Sequence, residues 1–169
     1  HRVDRERDRL LRRSALLSTS ISEATDSMRV SREIFLSRPS IRPVASRDAW
    51  ISSGFSRSRM HPILHDSRPH TGIDITARSG APILASAKGT VTYVGETTGY
   101  GKMVEIDHGY GYTTRYAHAS DLTVRRGEKV QRGDVIGKVS ETGLTTGPNL
   151  HYEVLVDGRA VDPRPFLLD

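Results

Sequence analysis

Hydrophobic and polar residues follow two different periods along this chain. In residues 1–38 the apolar positions recur every seven residues, and the segment contains no glycine and no proline. Two series interleave at 4-3 spacing: Leu10, Leu17 and Ala24, and Ile21, Met28 and Phe35. This seam predicts a long amphipathic α-helix, although Ser14 and Ser31 interrupt it.

Two arrangements remain open for this helix. A 4-3 seam is typical of one strand of a coiled coil, which makes residues 1–38 a candidate for self-association or for binding a partner protein. The alternative is a helix that packs on its own domain, as a lid over a cleft. Pro39 and Pro43 end the helical pattern. We therefore divide the chain into a helical segment (1–38), a linker (39–47) and a second domain (48–169).

The second domain has the pattern of short β-strands. Glycine becomes frequent, and β-branched runs are separated by turn residues. The runs that predict strands are GTVTYVGE (89–96), KMVEIDHG (102–109), YTTRYAHA (112–119), DVIGKVSE (134–141) and HYEVLVDG (151–158). Their spacing favours an antiparallel β-sandwich or partly open barrel over βαβ units. The sequence thus predicts a mainly β fold with a long N-terminal helix.

One pseudo-repeat introduces a different function. GAPILASAKGTVTYVGE and GEKVQRGDVIGKVSETG share a glycine, a short strand, a tight turn and a second strand. This rhythm is typical of the hairpins of biotinyl and lipoyl carrier domains. A carrier needs a lysine at an exposed hairpin tip, and Lys88 in SAKGT is the one tip-like candidate. Its neighbours do not match those of a carrier lysine, which disfavours a swinging-arm carrier.

Composition and charge narrow the chemistry. The chain has no cysteine, so disulfides and thiolate metal sites are excluded, and a metal must be held by His, Asp or Glu. The net charge is +5, but the basic residues are dispersed and few aromatics are interleaved with them, so we expect no nucleic-acid partner. No run approaches the ~20 apolar residues of a membrane span. A membrane anchor would lie outside this chain, which begins at His1.

A histidine and a carboxylate lie four residues apart in RPHTGIDIT. The composition of this stretch is poor for a helix and fair for an extended segment, and in either one His70 and Asp74 point to the same face. Both side chains are zinc ligands that need no sulfur. Taken alone, this HxxxD pattern is weak, because such pairs arise often by chance.

A second group of polar residues lies near the C-terminus and in one earlier strand. Asn149 and His151 share a face of the predicted strand in PNLHYEV, and His118 ends the strand in YAHAS. If His70, Asp74 and His151 converge, they supply three ligands and leave the fourth tetrahedral position for water. That open arrangement is typical of catalytic zinc. His118 would then move protons or stabilise an oxyanion.

From about Pro43 to the C-terminus, the chain resembles the M23 family of peptidoglycan metalloendopeptidases, with a domain of the LytM or lysostaphin type. The segments that carry the resemblance are SGFSRSRMHPI, HTGIDI, GAPILASAKGTV, GYGKMVEIDHGYGYTTRYAHAS, VQRGDVIGKVSETGLTTGP and LHYEVLVDGRAVDPRPFL. The resemblance implies a Zn²⁺-dependent hydrolase of the bacterial cell envelope, periplasmic or extracellular, that acts on the peptide stems of peptidoglycan.

The resemblance also implies residue roles. The zinc ligands fall on His70, Asp74 and His151, and one catalytic histidine falls on His118. The family's second catalytic histidine is the first His of an HxH motif, and that position is Asn149 here. Further assignments follow: Arg59 and His61 belong to a segment that lines the cleft, Tyr116 lies beside the site where it would help to bind substrate, and His65 and His108 lie in surface turns.

Asn149 determines how much activity to expect. An amide cannot titrate in the useful range, but it still donates two hydrogen bonds. Loss of an oxyanion donor costs about 10²–10³ in rate, and loss of a general base about 10²–10⁴. Two functions follow: an endopeptidase, attenuated to the degree that Asn149 falls short of histidine, or a degenerate zinc-binding domain that acts as a cell-wall binding or regulatory module. We favour the endopeptidase, since all three ligands and His118 remain.

Overall fold

The structure, a computed structural model, describes residues 2–60, 63–65 and 67–168, apart from the side chain of Arg59. It forms two compact units, residues 1–35 and 36–169. Helix α1 (Arg2–Ser37) forms the first unit up to Phe35, and its last two residues belong to the second unit, which also contains twelve described strands and one 3-10 turn. The predicted fold, mainly antiparallel β with a long N-terminal helix, is confirmed, and the sheet is not closed into a barrel.

Helix α1 exposes its apolar seam. Leu10, Ile21 and Met28 are 58%, 66% and 73% exposed, and they belong to the interleaved series found in the sequence. Asp4 lies in the first turn, where a carboxylate interacts favourably with the helix dipole. No helix among the described residues is long and apolar enough to cross a membrane. The coiled coil remains a prediction.

The segment assigned to a linker, 39–47, packs against the second unit. Val44 is 5% exposed and belongs to the hydrophobic core. Backbone hydrogen bonds join Ser40 N to Ser86 O (3.0 Å) and Ala45 N to Pro82 O (3.0 Å). The buried Val44 and the paired backbone therefore hold this segment on the sheet, and its role as a linker to the helical segment stays a prediction.

The strands of the second unit are short and paired antiparallel. They are β1 (Trp50–Ser53), β2 (Ser56–Met60), β3 (Ser67–His70), β4 (Ile73–Thr76), β5 (Pro82–Leu84), β6 (Gly89–Thr97), β7 (Gly101–Gly109), β8 (Tyr112–Ser120), β9 (Lys129–Val130), β10 (Val135–Val139), β11 (Asn149–Val156) and β12 (Arg159–Val161), followed by a 3-10 turn at Arg164–Phe166. The main sheet has the order β1-β4-β11-β8-β7-β6-β9; β10 pairs with β5 and β8, β12 pairs with β11, and β2 and β3 form a separate pair.

Tyrosine hydroxyls are buried together on the core side of this sheet. Tyr116 and Tyr152 face each other across β8 and β11, with ring centroids 5.4 Å apart. The Tyr116 hydroxyl lies 2.9 Å from Ser86 Oγ and from Thr114 Oγ1, and the Tyr152 hydroxyl donates to Ser86 Oγ at 2.8 Å. Apolar side chains surround these groups, and the polar atoms satisfy one another.

His108 belongs to the same buried network, and its assignment to a surface turn is wrong. The residue is 4% exposed and lies in β7. Its Nδ1 lies 2.7 Å from Lys88 O, and its Nε2 lies 2.7 Å from Thr114 Oγ1. Burial lowers the pKa of His108. His65, by contrast, is exposed.

Candidate metal centre and cleft

Three side chains converge at the end of strand β3 and on the paired strands β4 and β11. The Nε2 atom of His70 lies 3.1 Å from Asp74 Oδ1 and 3.2 Å from His151 Nδ1. His151 Nδ1 lies 2.8 Å from the same Asp74 oxygen. The sequence predicted this triad, and the structure brings its members together from positions as far as 81 residues apart.

Strand pairing produces this convergence. β11 lies between β4 and β8, and its register places His151 opposite Asp74 on one side and opposite Ala117 on the other. His70 and Asp74 do not share one strand, because Thr71 and Gly72 separate β3 from β4.

Gly72 permits a close backbone contact at this break. A Cβ atom at residue 72 would lie 2.3 Å from Tyr152 O and 2.9 Å from Tyr152 C, which is too close for any side chain. The glycine therefore lets the turn between β3 and β4 lie directly against β11, and this contact brings His70 beside His151.

The hydrogen bonds of His70 and His151 determine which ring nitrogen of each residue faces the other atoms of the triad. His70 Nδ1 lies 2.7 Å from Gly54 O, and since a carbonyl only accepts, Nδ1 carries a proton and Nε2 is left for a metal. His151 Nε2 lies 3.0 Å from Glu153 Oε1, which leaves Nδ1 for a metal. A metal would thus contact His70 Nε2, Asp74 Oδ1 and His151 Nδ1.

These three atoms fit a zinc ion. Ligand atoms at zinc distances of 2.0–2.2 Å on a tetrahedron lie about 3.3 Å from one another, close to the separations of 2.8–3.2 Å found here. One carboxylate with two imidazoles is a sulfur-free donor set that zinc accepts. Three protein ligands leave the fourth position open.

Asp74 and His151 form an ion pair within the triad. Burial acts to raise the pKa of Asp74, but hydrogen bonds from His151 and His70 outweigh it and hold the pKa well below its usual range. Burial alone would lower the pKa of His151, but hydrogen bonds to Asp74 and Glu153 raise it to about 9. In the metal-free protein His151 is therefore a cation between two carboxylates at neutral pH.

His118 reaches the site through a bulge in β8. Lys102 pairs with Ala119 and Val104 pairs with Tyr116, so Ala117 and His118 together oppose one residue of β7. His118 has φ of 60°, a conformation that non-glycine residues adopt rarely and mostly where surrounding structure holds them. Its ring centroid lies 6.1 Å from that of His151. The bulge turns the His118 side chain toward the triad.

Fixed hydrogen bonds orient His118. Its Nδ1 lies 2.7 Å from Thr142 O and therefore donates, which leaves Nε2 without that proton and able to accept one. Its backbone N donates to Tyr100 O at 2.9 Å. Burial lowers the pKa of His118, so the neutral form is favoured.

Asn149 lies at the start of β11, on the same cleft. The Thr145 hydroxyl lies 3.2 Å from Asn149 Oδ1 and 2.7 Å from Gly147 O. With its oxygen facing Thr145, the Asn149 amide has its NH₂ group available to donate. It lies outside the triad of His70, Asp74 and His151.

These residues line a cleft of about 310 Å³. Its described walls combine the triad, His118 and Asn149 with these apolar and polar residues: Ile63, Leu64, Arg68, Pro69, Thr71, Thr98, Gly99, Tyr100, Leu144, Thr145 and Thr146. Ile63 and Leu64 are 36% and 43% exposed on its rim. The cleft is open and partly apolar, as suits an extended peptide.

One predicted substrate-binding residue, Tyr116, lies in the core and not at this cleft, and for Arg59 and His61 the prediction is not tested by the described residues. Tyr116 is 0% exposed, and its hydroxyl bonds inside the core. Arg59 pairs with Arg68 in the β2–β3 ladder, and its side chain is not described. His61 lies outside the described residues.

Sequence reasoning missed the residues that support the triad. Glu153 is fully buried and accepts hydrogen bonds from Thr71, Tyr100, Arg115 and His151. The signal was present in part, because Glu153 follows His151 by two residues and so shares its strand face. Its other partners come from distant strands, and no local pattern indicates them.

Known proteins are similar in sequence to the part of this chain that contains the site. The model of Peptidase family M23 matches residues 68–163. The DD-carboxypeptidase/endopeptidase Mpg of Neisseria meningitidis is 50% identical over 113 residues, which are 67% of this chain and 26% of that protein. The peptidoglycan DD-endopeptidase ShyA of Vibrio cholerae is 43% identical over 121 residues, 71% of this chain and 28% of that protein.

A solved structure shares both fold and sequence. The crystal structure of a zinc containing peptidase from Vibrio cholerae has a TM-score of 0.70 and 36% identity, and the match covers 78% of this chain and 41% of that one. The chain spans about a quarter of the length of the curated relatives it matches.

Proposed function

The chain belongs to peptidase family M23, and on that premise we propose that it is a zinc-dependent endopeptidase that hydrolyses peptide cross-links of bacterial peptidoglycan. The observation that carries the proposal is the convergence of His70 Nε2, Asp74 Oδ1 and His151 Nδ1, with His118 beside them in an open cleft. The relatives named for cutting peptidoglycan support the substrate, and a neighbour named for its zinc supports the metal.

The protein's own residues divide the work of such a reaction. Zinc, when bound, would polarise the scissile carbonyl and acidify a water molecule. His118 has Nε2 available to take a proton from the attacking water and to return it to the leaving amine. The Asn149 NH₂ group would donate to the oxygen on which negative charge develops.

The side chains of the cleft serve binding. Tyr100 lies edge-on to the His151 ring, with centroids 5.6 Å apart, and forms part of the cleft wall. Ile63, Leu64 and Leu144 supply apolar contacts for a peptide stem. The substrate places the protein in the bacterial cell envelope, periplasmic or extracellular.

A second function is favoured by Asn149. This residue cannot accept or deliver a proton, so His118 is the one catalytic histidine expected beside the metal position, where a family member with the full HxH motif has two. On this alternative the domain keeps zinc and binds wall peptide or a partner enzyme without cutting. Peptide binding would use the same cleft.

One pair of assays separates these functions. Purified peptidoglycan is incubated with the wild type, and new free amines are counted with and without a chelator. We expect chelator-sensitive release, abolished by His70→Ala and Asp74→Ala and unaffected by His65→Ala, which removes an exposed histidine outside the cleft. No release by the wild type, together with release by Asn149→His, would favour the degenerate domain. A well-folded wild type that binds no zinc contradicts both.

A further inference from the structure

Glu153 is a buried carboxylate with donors on both of its oxygens. Oε1 accepts from the Thr71 hydroxyl, the Tyr100 hydroxyl (2.9 Å) and His151 Nε2 (3.0 Å). Oε2 accepts from Arg115 Nη1 at 3.2 Å. The side chain is 1% exposed. Because all its partners are donors, the group functions only as an acceptor and is not placed to act as a base.

Arg115 cannot easily turn away from Glu153. Its Nε donates to Glu105 Oε2 at 2.7 Å, and the other oxygen of Glu105 accepts from the Thr92 hydroxyl at 2.9 Å. The guanidinium, on β8, therefore bridges two carboxylates on the strands that flank it, β7 and β11. One side of Glu153 faces a fixed cation, and the other faces the imidazole of His151.

An amide at residue 153 could accept a hydrogen bond from only one of these two neighbours, Arg115 or His151. Its oxygen accepts and its NH₂ group donates, whereas both sides of the site supply donors. Next to the fixed guanidinium, the oxygen of a glutamine would turn toward Arg115. Its NH₂ group would then face His151 Nε2.

That reversal would change which ring nitrogen of His151 carries the proton. A donor facing Nε2 favours the imidazole form in which Nε2 accepts and Nδ1 carries the proton, and a protonated Nδ1 cannot bind a metal. We propose that Glu153 is a positioning residue: held between Arg115 and His151, its carboxylate keeps the His151 proton on Nε2 and presents Nδ1 to the metal position. The proposal rests on the proposed function only in requiring zinc at the triad.

The test measures zinc affinity by competition with a chelator, with no substrate present. Glu153→Gln should bind zinc about 10–100-fold more weakly than the wild type, the usual cost of losing the hydrogen-bond partner of a metal-binding histidine. Glu105→Gln is the matched control, since it changes the same side-chain type on the far side of Arg115 and does not touch His151. It should stay within about threefold of the wild type.

Rescue separates positioning from a merely structural role. In the double variant Arg115→Gln with Glu153→Gln, the amide oxygen introduced at residue 115 can accept from the NH₂ group of the amide introduced at residue 153. The oxygen of the amide at residue 153 is then free to accept from His151. We expect the double variant to recover most of the lost affinity. Long-range ¹H–¹⁵N spectra of the zinc-loaded proteins should show the His151 proton on Nε2 in the wild type and in the double variant.

Three outcomes would overturn the proposal: wild-type affinity in Glu153→Gln, an equal loss in Glu105→Gln, or no recovery in the double variant. If circular dichroism shows that Glu153→Gln does not fold, Glu153→Asp replaces it. Its shorter carboxylate can stay paired with Arg115 but does not reach His151, so the same loss is expected, and wild-type affinity there would contradict the proposal. A wild type that binds zinc but leaves peptidoglycan uncut removes the proposed function alone.

Discussion

At the scale of single residues, the chemistry of the cleft depends on which nitrogen of each histidine faces it. Three histidines have one nitrogen held by a fixed acceptor: Gly54 O for His70, Glu153 for His151 and Thr142 O for His118. Each ring would lose that hydrogen bond if it flipped. The other ring nitrogen of each histidine therefore faces the triad or the cleft before any ligand arrives.

Metal binding should release a proton from His151. The pKa of His151 is raised to about 9 in the metal-free protein, so the ring is charged at pH 7.5, whereas a ligand imidazole must be free of the proton on Nδ1. We expect about one proton to be released per zinc bound at pH 7.5, with affinity rising as the pH rises toward 9. Calorimetry in buffers of different ionisation enthalpy measures this number. Release of no proton would contradict the charge state assigned to His151.

His118 should govern the acid side of the activity profile. Burial lowers the pKa of His118 below the ordinary value of 6.5, so the neutral form persists as the pH falls through 6.5 and is lost only below it. We expect kcat/KM to hold at pH 6.5 and to decline at lower pH. His118→Ala should lose about 10²–10⁴ in kcat with zinc affinity retained. Retention of wild-type kcat in this variant would remove His118 from the mechanism.

At the scale of elements, strand β11 organises the site, because it carries Asn149, His151 and Glu153 on one face while Tyr152 packs into the core on the other. β4 and β8 pair with its two edges and bring Asp74 and Arg115 to that face. Two core strands therefore determine the distance between Asp74 and His151, whereas the turn before β4 brings His70 to them.

Gly72→Ala tests the contact between β11 and the turn before β4. The added Cβ would lie 2.3 Å from Tyr152 O, so the turn must move away from β11 and His70 must move with it. We expect a loss of about 1–3 kcal/mol in unfolding free energy, the usual cost of overpacking, together with weaker zinc binding. Chemical denaturation and chelator competition measure the two effects. Gly147→Ala is the control, since a Cβ there meets nothing within 4 Å; equal losses in both variants would contradict the argument.

Sequence patterns predicted the elements where the signal is local. Strands β6, β7, β8, β10 and β11 follow β-branched runs between turn residues, and they form near the predicted bounds. The pairing of His70 with Asp74 was also predicted, because four residues bring two side chains to one face in several geometries. Local patterns do not show where a residue lies when its position depends on strand pairing. His108 was assigned to a turn but is buried against Thr114, and Val44, in the segment assigned to a linker, joins the core.

The contacts that hold Glu153 and His118 in place could not be predicted from local sequence patterns, for the same reason. Thr71 is 82 residues from Glu153, and Tyr100 is 53 residues from it. The bulge that turns His118 toward the triad is a shift in pairing between β7 and β8, and nothing in YAHAS marks it. Such features follow from strand register, which one sequence does not specify by itself.

At the scale of the whole molecule, the chain combines a β unit that has its own core with a helix whose apolar seam is exposed. Helix α1 presents Leu17, Ile21 and Phe35 at 56%, 66% and 65% exposure. An isolated helix owes little of its stability to its own hydrogen bonds, and most helices depend on burying an apolar face. The seam thus remains a candidate for a parallel or antiparallel coiled coil.

Removal of residues 1–38 tests this assignment. If the seam drives self-association, the full chain should sediment as an oligomer, and a chain beginning at Pro39 should sediment as a monomer. Replacing Ile21 and Met28 by serine in the full chain should have the same effect with the helix retained, as judged by circular dichroism. A monomeric full chain would contradict self-association. The helix would then be a candidate for binding a partner protein or for covering the cleft as a lid.

The charged groups that are linked by hydrogen bonds around His151 also set a local net charge. Asp74, Glu153 and Glu105 contribute three negative charges and Arg115 one positive charge, so two negative charges remain once His151 is neutral. A divalent cation cancels them, and a monovalent or trivalent one leaves a residual charge in a partly buried place. Electroneutrality thus adds a preference for doubly charged ions to the preference that donor geometry already provides.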